Sequence, residues 1–214
     1  EFHSVIPAGQ TAASFLTKAK LNFFSTTVGH LWSQSIGGET PSIAINKDGS
    51  LIATEWNVAG HKAGVVVFDR DGNIKWEVGN PLNVDPLTSG QQRYPELAFS
   101  KDGRTLFLGG GNGSIASWDL SSQSIIWSHR TTWSSSDSTQ QIRLISPEDD
   151  GSLLVGSGDG YLYSISSSGE ILWRTYIGSW PDGYAESANY IFAGGKQSTY
   201  VVLLDKKGHV LWEI

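Results

Sequence analysis

Five short stretches of this chain end alike, an aliphatic residue or pair running into tryptophan. They are His30-Leu31-Trp32, Ile74-Lys75-Trp76, Ile125-Ile126-Trp127, Ile171-Leu172-Trp173 and Val210-Leu211-Trp212. From their positions the tryptophans stand 44, 51, 46 and 39 residues apart. A repeat of ~40–50 residues is the length of one four-stranded sheet in a radial array. That period constrains the fold before any single residue is interpreted. It also moves the functional question from a catalytic centre to the surfaces made by loops and chain ends.

Each unit reads as four strands. In one unit, 41–46 alternates, Lys47-Asp48-Gly49 turns, and strands follow at Leu51–Glu55, Gly64–Phe68 and Ile74–Val78. The turn before the last of these is Asp69-Arg70-Asp71-Gly72. Asp-Gly between apolar runs marks a hairpin, because glycine accepts positive φ without a steric penalty. The next unit repeats the order at Pro95–Ser100, Thr105–Leu108, Ser114–Trp118 and Ser124–Trp127. Another runs Gln141–Ser146, Ser152–Gly156, Tyr161–Ile165 and Glu170–Trp173, and the last Tyr184–Ser187, Tyr190–Ala193, Thr199–Leu204 and His209–Ile214. Strands of about five residues at this spacing, with no sustained helical period, predict an all-β repeat architecture.

The segment Gly156-Ser157-Gly158-Asp159-Gly160-Tyr161-Leu162-Tyr163-Ser164-Ile165, followed by Gly169-Glu170-Ile171-Leu172-Trp173, resembles the repeats of quinoprotein-like (pyrroloquinoline-quinone-type) β-propellers. Pro95-Glu96-Leu97-Ala98-Phe99-Ser100-Lys101-Asp102-Gly103 is similar to WD40-like repeats and to those of archaeal cell-surface propeller proteins. The resemblance covers 21–214 and implies an all-β propeller of four full blades plus an incomplete N-terminal one. The units fall near 21–38, 39–80, 81–131, 132–178 and 179–214. Trp32, Trp76, Trp127, Trp173 and Trp212 are expected to pack each blade on the next, given the large area a tryptophan buries. The propeller fold hosts many functions, so the resemblance implies architecture and little else.

The first unit departs from the pattern. Leu21–Phe24 aligns with Val201–Leu204, and Gly29–Trp32 with the fourth strand, but 1–20 contains no Asp-Gly turn. Its apolar anchors are Val5, Ile6, Phe15 and Leu16. An unclosed propeller exposes edge strands, which invite pairing with another chain. Three outcomes stand open. The first twenty residues supply two weak strands and seal a small ring. They leave as a donor arm and complete a neighbouring copy, a form of β-augmentation that repeats head to tail into a ring or filament. Or they are a linker, and the chain is a piece of a larger propeller.

Composition narrows the function. The net charge is −6, and no Lys/Arg cluster is present to neutralise a phosphate backbone, so nucleic acid is not an expected partner. No apolar run approaches the ~20 residues that span a bilayer. Charged residues make up 17% of the chain, below the ~25% of an average soluble domain. With Ser, Thr and Asn in their place, the surface is polar but weakly ionised, as on exported proteins. Cysteine and methionine are both absent, which excludes disulfides and thiolate chemistry and points to a removed leader or an excised piece.

Few residues suggest chemistry. The longest insertions, 57–63, 80–93, 130–140 and 179–183, emerge on one face and bring Trp133, Trp180, Tyr94 and Arg130 toward a ligand or glycan surface; the same rings equally suit capping of blade ends. Asp69-Arg70-Asp71-Gly72-Asn73 has alternating oxygen ligands for calcium, but its glycine is misplaced for an EF-hand loop, and a hairpin turn accounts for it. Asn112-Gly113-Ser114 is a glycosylation acceptor pattern on an expected exposed turn. A quinoprotein dehydrogenase would need a cofactor, calcium and often a vicinal cysteine pair; with no cysteine, no catalytic residue carries over. No cofactor or metal is expected. The sequence therefore predicts a non-catalytic extracellular or cell-surface propeller, a self-assembling structural subunit whose N-terminal arm completes a neighbour. The alternative is a ligand- or glycan-binding sensory propeller.

Overall fold

The computed structural model describes residues 4–8, 12–17, 20–25, 27–36, 42–56, 64–83, 96–131, 141–178, 181–195 and 201–214, the first two segments through their backbone alone. They form five antiparallel four-stranded sheets, each a simple meander. The first holds β1 (Ser4–Ala8), β2 (Ala12–Thr17), β3 (Lys20–Ser25) and β4 (Gly29–Ser35). The second holds β5 (Ile43–Ile45), β6 (Leu51–Trp56), β7 (Gly64–Asp69) and β8 (Ile74–Gly79). The third is β9 (Glu96–Phe99), β10 (Thr105–Gly109), β11 (Ser114–Asp119) and β12 (Ser124–Arg130). The fourth is β13 (Ile142–Pro147), β14 (Leu153–Ser157), β15 (Tyr161–Ile165) and β16 (Ile171–Tyr176). The fifth is β17 (Pro181–Glu186), β18 (Tyr190–Gly195), β19 (Val201–Asp205) and β20 (Val210–Glu213).

The sheets follow one another as propeller blades. Their first strands meet in succession, β1 on β5, β5 on β9, β9 on β13 and β13 on β17. Among the described residues no comparable contact joins the fifth sheet back to the first. The core is divided accordingly into four apolar seams, one per sheet-to-sheet joint. The middle strands supply most of it because both of their faces are covered. Val65, Val67 and Phe68 of β7 are wholly buried, as are Leu153 and Val155 of β14. A strand covered on both sides reads as a continuous apolar run, and Gly-Val-Val-Val-Phe is one.

The expectation of an incomplete first blade is resolved by β1 and β2. Val5 pairs with Phe15, Ile6 with Ser14, and β2 continues onto β3 with Ala13 opposite Phe24. Residues 4–17 are thus strand partners within their own sheet, and that sheet needs no donated strand. The sequence left these two strands as one of three outcomes because Gly9-Gln10-Thr11 lacks the Asp-Gly signal of the other turns.

One irregularity recurs five times. In the β3–β4 pair, Phe24 opposes His30 while Phe23 opposes Trp32, so Leu31 is an extra residue. The same bulge makes Lys75, Ile126, Leu172 and Leu211 the extra residue in the corresponding outer pairs. A bulge bends its strand and re-aims the next side chain. The residue before each tryptophan is therefore bulged, and in the first four sheets the tryptophan is turned toward the following sheet.

Candidate functional site

The joint between blades is the repeated working part. Trp32 of β4 donates its indole N–H to the Arg70 carbonyl (2.8 Å) in the β7–β8 turn of the next sheet. Trp127 donates likewise to the Ser167 carbonyl (2.9 Å), and Trp173 to the Lys206 carbonyl (3.1 Å). In all three turns the fourth residue is a glycine at positive φ: Gly72, Gly169 and Gly208. A Cβ on those glycines would lie 2.9, 2.7 and 2.5 Å from the ring of Trp32, Trp127 and Trp173. No real Cβ approaches a ring so closely, so glycine is required both by conformation and by contact. Polar side chains two residues on reinforce the clasp: Gln34 donates to the Gly72 carbonyl and Thr175 to the Gly208 carbonyl. The remaining joint is different. The β11–β12 turn is one residue longer and presents buried Leu120, which packs in the same cluster as Trp76.

Trp212 occupies the same strand position as these tryptophans but faces outward. It is 41% exposed and stacks edge-on against Phe192 of the same sheet (5.8 Å between centroids). Phe192 is 44% exposed, whereas Ala53, its counterpart on β6, is fully buried. With Tyr190 and half-buried Val201 and Leu203, these side chains form an open apolar face on the fifth sheet.

The outer face of the first sheet has a different chemistry. Asn22 and Phe24 of β3 stand where Val66 and Phe68 stand on β7. The Ser33 hydroxyl donates to Asn22 Oδ1 (2.7 Å), and His30 Nε2 lies 2.7 Å from the same hydroxyl. Beside this polar chain, the half-buried Phe24 ring meets His30 edge-on (5.0 Å between centroids). In its β3–β4 turn the fourth residue is Val28, 76% exposed, where the clasping turns carry glycine. Positive φ falls one residue later, on Gly29.

A second feature sits at the seam of the fourth and fifth sheets. Lys206 Nζ lies 2.9 Å from Glu186 and 3.5 Å from Glu148. Burial raises the Glu148 carboxyl above its ordinary range, and the Glu186 charge adds to the rise. Burial is the largest influence on Glu186 and pushes it the same way, but the Lys206 and Glu148 hydrogen bonds and the nearby lysine charges together outweigh it and the net direction is down. Lys206 is pulled down by burial and raised on balance by its two carboxylates. One cation bridging two acids ties the turns of adjacent blades together. It lines an open cleft of about 900 Å³ that also includes Trp173.

Between the third and fourth sheets lies a buried polar network. The Tyr163 hydroxyl is 2.8 Å from the Thr131 carbonyl and 2.6 Å from Asp159 Oδ2. Thr131 Oγ1 donates to the Gly113 carbonyl and lies 3.0 Å from Ser157 Oγ. Burial, then the Asp159 carboxylate, pushes the Tyr163 phenol upward. Buried polar groups of this kind are satisfied in pairs because leaving one orphaned costs more than the bond returns. Ser157, Asp159 and Tyr163 fall within the repeat segment read from the sequence, but nothing there pointed to their meeting Thr131. A tyrosine within Tyr-Leu-Tyr-Ser-Ile reads only as an alternating strand.

Trp133, Trp180 and Tyr94 lie outside the described residues; Arg130 ends β12 and is exposed, opposite Ser114. Asn112 is half-buried on the β10–β11 turn, its Oδ1 accepting the Ser114 N–H (3.1 Å). Asp69 Oδ1 accepts from the backbone N–H groups of Asp71 and Asn73, which is turn chemistry. Val5, Ile6, Phe15 and Leu16 lie on β1 and β2. Among the described residues no helix is long and apolar enough to cross a membrane.

Sheet topology, seams and repeated clasp define a class, the repeat β-propeller. No family model matches the chain. It is 25% identical over 188 residues to the outer membrane protein assembly factor BamB of Yersinia pestis, covering 85% of this chain and 44% of BamB. It superposes on the crystal structure of BamB from Moraxella catarrhalis with a TM-score of 0.71 at 19% identity, covering 97% of this chain and 63% of that one. The chain thus spans under half the length of the curated relative and less than two thirds of the solved one. These likenesses support the quinoprotein-like repeat; the archaeal resemblance finds no counterpart in them.

Proposed function

We propose that the protein is a non-catalytic protein-docking propeller of the cell envelope. The observation that carries this reading is the open face of the fifth sheet, where Tyr190, Phe192 and Trp212 are 48%, 44% and 41% exposed together. A contiguous apolar patch rimmed by polar residues is a recognition surface. The likeness to BamB, whose name is that of an assembly factor of the outer membrane, supports both the interaction role and the envelope.

Self-assembly by strand donation is not part of this reading, because β1 and β2 are already paired on β3. The test is site-specific photo-crosslinking in cells. A benzophenone side chain at Phe192 is expected to give discrete adducts in the envelope fraction, and the same group at Lys20 to give none. A cytoplasmic distribution, or equal labelling from both positions, sinks the reading.

A further inference from the structure

We propose that the Lys206 turn is a pH-sensitive latch between the fourth and fifth sheets, closed most firmly when Glu148 and Glu186 hold one proton between them. One residue serves both the clasp and the charge cluster. The Lys206 carbonyl accepts the Trp173 indole N–H (3.1 Å), and its ammonium lies 2.9 Å from Glu186 and 3.5 Å from Glu148. Glu148 follows β13 in the fourth sheet, and Glu186 ends β17 of the fifth. Nearby, the Tyr184 hydroxyl donates to Ser146 Oγ (2.6 Å) and fixes the same two strands. In the other clasps the residue in the place of Lys206 is Arg70 or Ser167, both exposed, whereas Lys206 is half-buried. Among the described residues, only the Trp173 clasp thus closes on a turn whose side chain bridges acids of two sheets.

Fully ionised, the cluster sets two carboxylates against one ammonium. A proton on Glu148 makes it neutral and lets that carboxyl donate to the Glu186 carboxylate. Burial, then Glu186, holds Glu148 above its ordinary range, so its contribution is present in acid and is lost as pH rises through its folded value. Glu186 is held low on balance, burial opposing, so its contribution is lost as pH falls through its folded value. The latch is tightest between those two values and loosens on either side. Lys206 stays charged throughout, burial lowering it and both carboxylates raising it further. The other charges facing the cluster are Lys101 of the third sheet, 3.8 Å from Asp149, then Asp149 and Asp150 beside Glu148, and Lys207 beside Lys206. Asp205 and His209 pair with each other on the Lys206 turn (2.9 Å). Asp149 and Lys207 are exposed and therefore screened. The bridging groups and Trp173 line one open cleft, so its wall is firmest where the latch is tightest.

The test is a pH titration of the full chain carrying 15N-tryptophan and 13C-carboxyl glutamate. The Trp173 indole N–H resonance, assigned by Trp173→Phe, reports the clasp through its hydrogen bond to Lys206. As pH falls, it is expected to shift with the midpoint of the Glu148 carboxyl, then to return with that of Glu186. Glu148→Gln is expected to remove the first movement and keep the second, while His209→Gln keeps both. A Trp173 resonance that stays constant through the Glu148 titration overturns the proposal. So does the same movement in Glu148→Gln, or a Glu148 and a Glu186 that titrate independently of each other.

Discussion

The first and fifth sheets are built from one repeat and end it differently. On the outer side of the first, Asn22, Ser33 and His30 are linked by hydrogen bonds, and the turn ends on an exposed valine. On the outer side of the fifth, Phe192, Leu203 and Trp212 keep the apolar character of an internal seam. The lesson is that sheets of one repeat present different outer chemistry: the described side chains of the first are hydrogen-bonded and polar beside Phe24, and those of the fifth are apolar.

The comparison is tested most severely by tryptophan. Trp173→Ala, in a covered seam, is expected to cost about 3 kcal/mol, while Trp212→Ala at the open edge costs below about 1 kcal/mol. Urea denaturation of the two variants measures both; equal losses would mean that the fifth sheet is covered in the isolated protein. Glycine gives the next largest contrast. Gly208→Ala places a Cβ 2.5 Å from Trp173 and is expected to cost about 2–3 kcal/mol. Gly29→Ala meets nothing within 4 Å and pays only for left-handed φ, about 1 kcal/mol. Thermal midpoints rank them.

The smallest effect concerns charge at the last seam. Glu148 has a raised carboxyl, so the folded state favours its protonated form; that contribution is full in acid and is lost as pH rises through its folded value. Glu186 has a lowered one and contributes in the opposite sense, being lost as pH falls. Glu148→Gln is therefore expected to stabilise slightly at neutral pH, within about 0.5 kcal/mol given partial exposure, and to lose that advantage in acid. Stability curves at several pH values decide it. A variant less stable at neutral pH would show that the Lys206 contact dominates.

Much of this was legible beforehand. The Asp-Gly turns gave the hairpins at 47–49, 69–72 and 101–103, because positive φ singles glycine out locally. The N-terminal hairpin was less legible: two weak strands were one of three open outcomes, because 1–20 has no Asp-Gly turn, and pairing of β2 on the adjacent β3 decided for them. In the first sheet glycine closes the turn one residue later than in the fifth, so His30 matches Val210 in register and Gly29 matches His209. The bulge before each tryptophan was present as the residue preceding it, aliphatic in four of the five units and Lys75 in the other. Its meaning needed the strand pairing, because sequence does not count the residues opposite.

Period, turn residues and alternating apolar strands determined by themselves that this chain builds four-stranded sheets, since hairpin geometry is set by neighbours along the backbone. Only the tertiary structure decided which tryptophans are clasped and which is open. Trp173 and Trp212 sit in nearly identical local sequence, and what separates them is whether another sheet's glycine turn stands within reach of the indole.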